Sequence, residues 1–358
     1  MKSDYIVVGT GLTGSTIARC LADAGREVLL LDRRPHCGGN VIDETHALSG
    51  IRIHTYGPHY FRTNSDRIWD FLARFSSFQR FEASILSKHQ LEYYHWPLWQ
   101  SEINKLCKDS PNFSGVPQNL EQACLGQMPR KIYELFVKEY NEKQWGIACT
   151  DLDKSLCSRF DIRSVNEPRL KPDMKYQGVP SDGYASLMAN MIGGLRVELG
   201  VDYIKHKDLF QSKHVIYTGP IDEFFGCNLG KLKYRAQRRD HKYHPKANFL
   251  QPMVQINYPQ HADGQHIRSI EWKWMMQAPE SLRGTVITTE TPYSPTESND
   301  YEYPFPDEEN GLLYQRYSSI ASQLTNVTFC GRLGEYKYFD MDQAIARAMK
   351  ISEHLLAG

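Results

Sequence analysis

The stretch YIVVGTGLTGSTIARCLADAGREVLLLDRR, residues 5–34, constrains the fold more than any other part of the chain. It reads as a buried strand, a glycine turn, an amphipathic helix and a second strand, the opening unit of a dinucleotide-binding sheet. Each glycine has its own reason. Gly9 makes the tight turn, Gly11 lets backbone approach a pyrophosphate, and Gly14 lets the helix pack against the strand. The helix start, with Thr13 in its first turn, offers free N–H groups and partial positive charge to an anion. Asp32 closes the second strand, where an acidic side chain meets an adenosine ribose.

The segment after Asp32 argues for FAD rather than NAD. It runs RRPHCGGNVID, and Gly38, Gly39 and Asn40 form a second glycine turn close to the first, a feature of flavoproteins with two dinucleotide-binding domains. The segment SGIRIHTYGPHYFRTNSDRIWDFLARF then gives a short strand and a loop containing His59. A helix capped near Asn64 or Ser65 comes next, with Ile68, Phe71, Leu72 and Phe75 at helical spacing.

Further along, the period of the apolar residues divides the chain. Residues 65–165 read as a helical insertion, with Pro129 opening a helix that carries Ile132, Leu135, Phe136 and Tyr140. The stretches MVQINY, IRSIEWKW and GTVITTET alternate with period two, so 166–177 plus 229–309 read as an antiparallel sheet. The rest, 1–64 plus 178–228 plus 310–358, reads as a discontinuous FAD-binding domain. The predicted class is α/β: an FAD-binding Rossmann-like domain with a helical insertion and an antiparallel β-sheet domain. SPTESNDYEYPFPDEENG is the most polar, Pro-rich stretch and reads as an exposed functional loop. The last helix carries Ile345, Met349, Ile351 and Leu355, with Asp340 as its cap.

Composition limits the partners. At roughly 100–200 residues per domain, 358 residues make two or three domains. The 42 basic and 42 acidic residues leave no global field for nucleic acid or an anionic membrane, while a local basic pocket for a small anion stays open. The eight Cys have no C-x-x-C spacing, which argues for free thiols in a reducing compartment and against a zinc site. The start has no signal-peptide pattern and no apolar run is long enough to span a bilayer, so a cytoplasmic protein is expected.

Taken together the motifs GTGLTGS, CGGNVID, IHTYGPHYF, YNEKQWG, RFDIR with YQGVPSDGY, IYTGPIDEFF, IRSIEWK and GRLGEYKYFDMDQ resemble the UDP-galactopyranose mutase family, in order and over nearly the whole chain. The resemblance implies an isomerase that interconverts pyranose and furanose forms of a nucleotide sugar without net redox change. The flavin acts reduced, through a covalent flavin N5–sugar adduct. It further implies a homodimer, NADPH or NADH as reductant, and a role in making galactofuranose for cell-surface polysaccharide.

The resemblance also assigns residues. Arg163 and Arg268 are the implied diphosphate ligands, since a planar guanidinium binds phosphate bidentately and keeps its charge in a partly dry site. Tyr140 and Trp145 are implied beside the uracil, and Tyr176, Tyr303 and Tyr338 as hydroxyl donors to diphosphate or sugar. His95 and Asn257 complete the implied substrate set. His59 is implied against the flavin ring, where an imidazole can tune N5 or move a proton. Arg33, Tyr60, Val201 and Asp202 join the implied flavin site. So do Arg332 and the run Phe339, Asp340, Met341, Asp342, Gln343 and Ala344.

Two departures bear on the sugar. The family typically reads PHIFHT where this chain has PHYFRT, placing Arg62 at the second His. Its YNFPIN-like segment is here YHWPLWQ, with His95, Trp96 and Trp99. These changes open the alternatives of UDP-N-acetylgalactosamine or TDP-fucose as substrate. An FAD-dependent oxidoreductase shares the first forty residues, and a non-catalytic sugar-nucleotide-binding homologue would share the cleft.

Overall fold

The computed structural model describes residues 2–357. Strand β1 (Lys2–Val8), helix α1 (Leu12–Asp23) and strand β2 (Val28–Asp32) form the expected opening unit. Every residue of β2 is buried, which a central strand of a sheet covered on both faces requires. The parallel sheet runs in the order Arg196–Leu199, β2, β1, Gln211–Tyr217, Val327–Phe329. Its strands are thus drawn from three separated stretches of chain. Helix α1 packs on one face with the Met341–Ala357 helix, where Val7, Ile17, Leu21, Leu30, Ile216 and Ala348 form a dry core.

A second sheet of seven strands stands beside it, in the order Tyr303–Pro304, Tyr234–His244, Thr285–Tyr293, Arg268–Glu271, Gln255–Asn257, Ile85–His89, Glu92–Trp96. All its pairings are antiparallel except that of Gln255–Asn257 with Ile85–His89. The last two strands add a hairpin to the stretch 65–165 that reads as mostly helical in the sequence. The hairpin turns at Gln90, whose φ is +55°, and a Gln–Leu turn carries none of the Gly or Asn chemistry that marks such hairpins in a sequence. Helix dominates from Gln100 onward.

Within that part, Arg130–Tyr133 and Glu139–Trp145 are joined by a π-helical turn, Glu134–Lys138. The extra residue rotates Tyr140 relative to Ile132 and leaves Phe136 and Tyr140 on one cavity wall. Ser65 caps the Asp66–Ala73 helix by accepting from the Ile68 N–H, settling the choice between Asn64 and Ser65. All eight Cys are unbridged, and among the described residues no helix is long and apolar enough to cross a membrane.

Candidate functional site

Three adjoining cavities run from the β1–α1 turn to the helical part. The first is lined by Gly9, Gly11, Thr13, Gly14, Asp32, Arg33, Gly39, Asn40, Val201 and Asp202. The first turn of α1 has no side-chain cap and no acidic residue, so its N–H groups are left for an anion. The two glycine turns touch through a bridge between Gly11 and Gly38. Gly39 has φ +59°, and a Cβ there would lie 2.8 Å from the Gly11 Cα, so only glycine lets the turns close. Asp32 Oδ2 accepts from the N–H and hydroxyl of Thr10, both at 2.7 Å, and Oδ1 from the Arg34 N–H at 2.9 Å. A carboxylate has about four acceptor sites, so capacity remains for a ribose hydroxyl. Arg33 is anchored by Glu223 at 2.9 Å and Ser298 at 2.6 Å. Donors for a pyrophosphate next to an acceptor for a ribose fit a dinucleotide.

The middle cavity shares Asn40, His59, Arg332, Phe339 and Met341 with the first, and adds Tyr60, Arg62, Asp340 and Asp342. His59 Nδ1 is buried without a hydrogen-bond partner, and the His59 N–H donates to His54 Nδ1 at 3.0 Å. Burial first, then the charges of Arg332 and Arg239, push the His59 pKa down to about 3, so the imidazole is neutral. An orphaned neutral ring nitrogen in this wall suits a flat heteroaromatic ring with both donors and acceptors, as an isoalloxazine has. Arg332 holds its guanidinium in place through the carbonyls of Glu302 and Phe339, both at 3.0 Å.

The start of the last helix differs in detail from expectation. Asp340 occupies the cap position, but its carboxylate turns away to accept from Tyr338 at 3.1 Å and Arg62 at 3.3 Å. Gln343 reaches back instead, accepting the Asp340 N–H at 3.0 Å, half of a capping box. Gln343 is therefore spent on the helix start and does not line a cavity, whereas Ala344 lines the first.

The third cavity is an aromatic cleft between the helical part and the seven-stranded sheet. Phe136, Tyr140, Trp145, Trp96 and Phe160 line one side, and Asn257, Arg268, Tyr303 and Tyr338 the other. Arg268, Tyr303 and Tyr338 also line the middle cavity, so the two spaces meet there. Glu290, fully buried, sits between Arg268 and Arg239 and takes the Nε of each. Arg239 also forks onto Glu302 at 2.8 and 2.9 Å. Burial alone would raise the Glu290 pKa, but the two guanidiniums hold it below the usual range. Burial would likewise lower Arg268, and Glu290 outweighs it, so Arg268 stays charged. With its Nε tied, its two terminal nitrogens are left to meet an anion.

A sequence profile of the UDP-galactopyranose mutase family matches residues 135–338, and one of NAD(P)-binding Rossmann-like domains matches residues 7–75. A dTDP-fucopyranose mutase of Escherichia coli is 30% identical over 369 residues, covering 97% of each chain. A probable UDP-galactopyranose mutase of Klebsiella pneumoniae is 29% identical over 372 residues, covering 99% of this chain and 95% of the relative. The chain belongs to the UDP-galactopyranose mutase family. It is thereby placed among isomerases. The fold is similar to the crystal structure of a reduced UDP-galactopyranose mutase, with TM-score 0.77 at 13% identity over 99% of this chain and 96% of that one. A putative protoporphyrinogen oxidase from Exiguobacterium has the same fold at TM-score 0.64 and 12% identity, covering 99% of each chain.

For a member of this mutase family, three of the residues singled out in the sequence stand apart from the cleft. Arg163 spends its guanidinium on its own loop, donating to the carbonyls of Glu167 at 2.9 Å, Arg169 at 2.5 Å and Leu170 at 2.7 Å. It shapes the loop that brings Leu170 to the cleft, and would have to release these carbonyls to reach a phosphate. His95 stacks on Trp99 at 3.4 Å and pairs with Glu102 at 2.8 Å, facing away. Tyr176 stacks on Trp69 at 4.7 Å and donates to Asp66 at 2.9 Å, on the far side of its strand. In a strand, neighbouring side chains point to opposite faces, so the one-residue shift from His95 to Trp96 decides which enters.

Arg159 is the residue the sequence reading missed. Its guanidinium lies 4.4 Å from the Tyr338 ring centre and lines the cleft. Among the described residues it makes no ion pair within 4 Å. The signal was present, because SRFDIR holds two Arg four positions apart, either of which could serve an anion. The polar loop 294–311 also differs from expectation: Tyr301 and Glu302 are buried, because Glu302 is needed inside to neutralise Arg239.

Proposed function

We propose that this chain is a flavin-dependent mutase that interconverts the pyranose and furanose forms of a nucleotide-diphosphate hexose, UDP-galactose being the first candidate. The observation that carries the reading is the meeting of two spaces at Arg268, Tyr303 and Tyr338. One, walled by His59, Arg332 and Phe339, would take a flavin ring, and the other, walled by Tyr140, Trp145 and Arg268, a base and its diphosphate. The glycine turns, Asp32 and Arg332 would hold FAD, which in its reduced form would supply a nucleophile toward C1 of the sugar.

The chain's own residues do the rest. Tyr140 and Trp145 hold the base by stacking and packing. Arg268, with Arg159, neutralises the diphosphate as it departs and as it returns. The hydroxyls of Tyr303 and Tyr338 orient the same oxygens. Neutral His59 offers a ring nitrogen that donates or accepts a hydrogen bond beside the flavin without adding a charge. The buried walls keep water from the freed sugar.

The E. coli relative named for dTDP-fucopyranose, together with Trp96 in the cleft and Arg62 in the middle cavity, supports a second substrate reading, TDP-fucose or UDP-N-acetylgalactosamine. Unbridged cysteines support a reducing, cytoplasmic setting. The homodimer and the NADPH or NADH reductant rest on the family resemblance.

The test is to incubate dithionite-reduced protein with UDP-galactose, UDP-N-acetylgalactosamine and dTDP-fucose separately and look for furanose product by chromatography. Conversion of at least one is expected, and only with reduced flavin. No conversion of any defeats the proposal. Turnover by oxidised protein with net hydride transfer would establish an oxidoreductase instead.

A further inference from the structure

Lys143 is a buried cation that the proposed chemistry does not use. It lies on the Glu139–Trp145 helix, between Tyr140 and Trp145, and only 6% of it is exposed. The three N–H groups of its ammonium are shared among four backbone carbonyls: Tyr258 at 2.7 Å, Gln260 at 2.9 Å, Gly264 at 3.1 Å and His266 at 3.0 Å. All four belong to the loop joining the Gln255–Asn257 strand to the Arg268–Glu271 strand, two from each flank. Those strands bring Asn257 directly opposite Arg268. The helix is anchored on its other side by Arg235, which donates to the carbonyls of Lys143 at 3.0 Å and Gln144 at 2.7 Å.

We propose that the Lys143 ammonium is a latch that fixes the cleft wall carrying Asn257 and Arg268 at a set distance from the helix carrying Tyr140 and Trp145. This makes Lys143 a positioning residue for the sugar nucleotide, and it rests on the cleft being that molecule's site. Because every acceptor is a main-chain carbonyl, the contact constrains the path of the loop and not merely one rotamer. Removing the ammonium leaves the Tyr258, Gly264 and His266 carbonyls short of a donor, while Gln260 keeps the Asp263 N–H at 3.1 Å, and the loop must open to water to satisfy them. The diphosphate would then meet Arg268 at a changed distance from the base platform. A displacement of order 1 Å can cost roughly a hundredfold in binding and turnover.

The charges facing the latch come from several elements. Asp263 of the loop is paired with Lys88 of the Ile85–His89 strand at 2.8 Å. Glu139 accepts the His261 N–H at 2.5 Å, and Glu142 lies 3.9 Å from the His261 ring. Burial pushes Lys143 down to about 8, against the upward pull of Asp263 and Glu139. Lys88 is raised by its bond to Asp263, and burial lowers His266, so both move away from that window. The unfolded lysine keeps its proton to about 10.5. Loss of the folded proton above about pH 8 therefore does not weaken folding, while it does remove a donor from the latch.

The experiment measures Kd for UDP and for dTDP on FAD-loaded wild type and Lys143→Met, with flavin content as the fold control. The expected result is roughly a tenfold to hundredfold weaker Kd in the variant at equal flavin content. With a substrate that turns over, KM should rise more than kcat falls. In wild type the Kd should climb from about pH 8 upward without a matching fall in melting temperature, a readout that needs no variant to fold. A variant Kd equal to wild type, or a flat wild-type profile across that window, overturns the latch. A wild type that binds neither nucleotide overturns the reading of the cleft itself, and the latch with it.

Discussion

The cradle at the start of α1 and the aromatic cleft, the two ends of the proposed site, are built by different means. The anion-binding end of the cradle is mostly backbone: glycines that remove side chains and N–H groups at a helix start, with the Asp32 carboxylate beside them. Its working parts lie within the first forty residues. The cleft is built from side chains scattered along the chain from Ile85 to Tyr338, with its central guanidinium held by a buried chain of alternating charge, Arg268–Glu290–Arg239–Glu302. A backbone site should fail through sterics and lose its cofactor. A charge-network site should fail through electrostatics and keep it.

The largest effect should come from Gly39→Val. A β-branched residue at φ +59° is strained, and its Cβ would meet the Gly11 backbone at 2.8 Å. Purified variant should carry little or no FAD, read from the flavin absorbance, while UDP still binds. Loss of UDP binding together with FAD would mean that the two regions are not separable.

Arg268→Ala should come next, with the opposite pattern. Deleting a group that stabilises the developing charge of a departing anion costs about 2.7–4 kcal/mol, and a decade of rate is about 1.4 kcal/mol, so kcat/KM should drop by about two to three decades. Flavin content should stay at the wild-type level. A variant that loses flavin would show that the charge network supports the cradle as well. Arg159→Ala sharpens the contrast within the cleft. Its residue is exposed and makes no ion pair among the described residues, and contacts of that kind are worth about 1 kcal/mol, so Kd should weaken by only about fivefold. That difference should shrink as salt rises, because an exposed charge is screened and Arg268 is not.

The same contrast explains what could be read from the sequence. Gly9, Gly11, Gly14, Gly39 and Asp32 were legible because each acts through local chain geometry, which spacing reports directly. Arg268 and Tyr140 were legible only through motif resemblance. The choice between Arg159 and Arg163 was not legible at all. Both lie in SRFDIR, and it is the loop carbonyls of 167, 169 and 170, brought back by tertiary folding, that take one guanidinium out of the cleft. The strands at 85–96 were hidden for a related reason: their pairing partner lies far along the chain at 255–257, and their turn uses Gln90 in place of glycine.

His59 lines both the cradle and the middle cavity that joins it to the cleft, and it gives the smallest and most specific prediction. It lines the cradle, yet two of the three largest influences on its proton are burial and Arg332, with Arg239 of the cleft network as the third. Its pKa is about 3 in the fold against 6.5 for an ordinary histidine. Above pH 6.5 neither folded nor unfolded His59 holds the proton, and stability does not depend on it. As pH falls below 6.5 the unfolded chain gains a proton that the folded one refuses until about pH 3, so stability is lost across that interval. His54, buried and lowered in the same direction, adds to the slope. The melting temperature of flavin-free wild type should therefore fall on acidification below about pH 6.5 more steeply than that of His59→Gln. Superimposable profiles would mean that His59 is protonated in the fold, and that the cations of the cleft do not reach into the cradle.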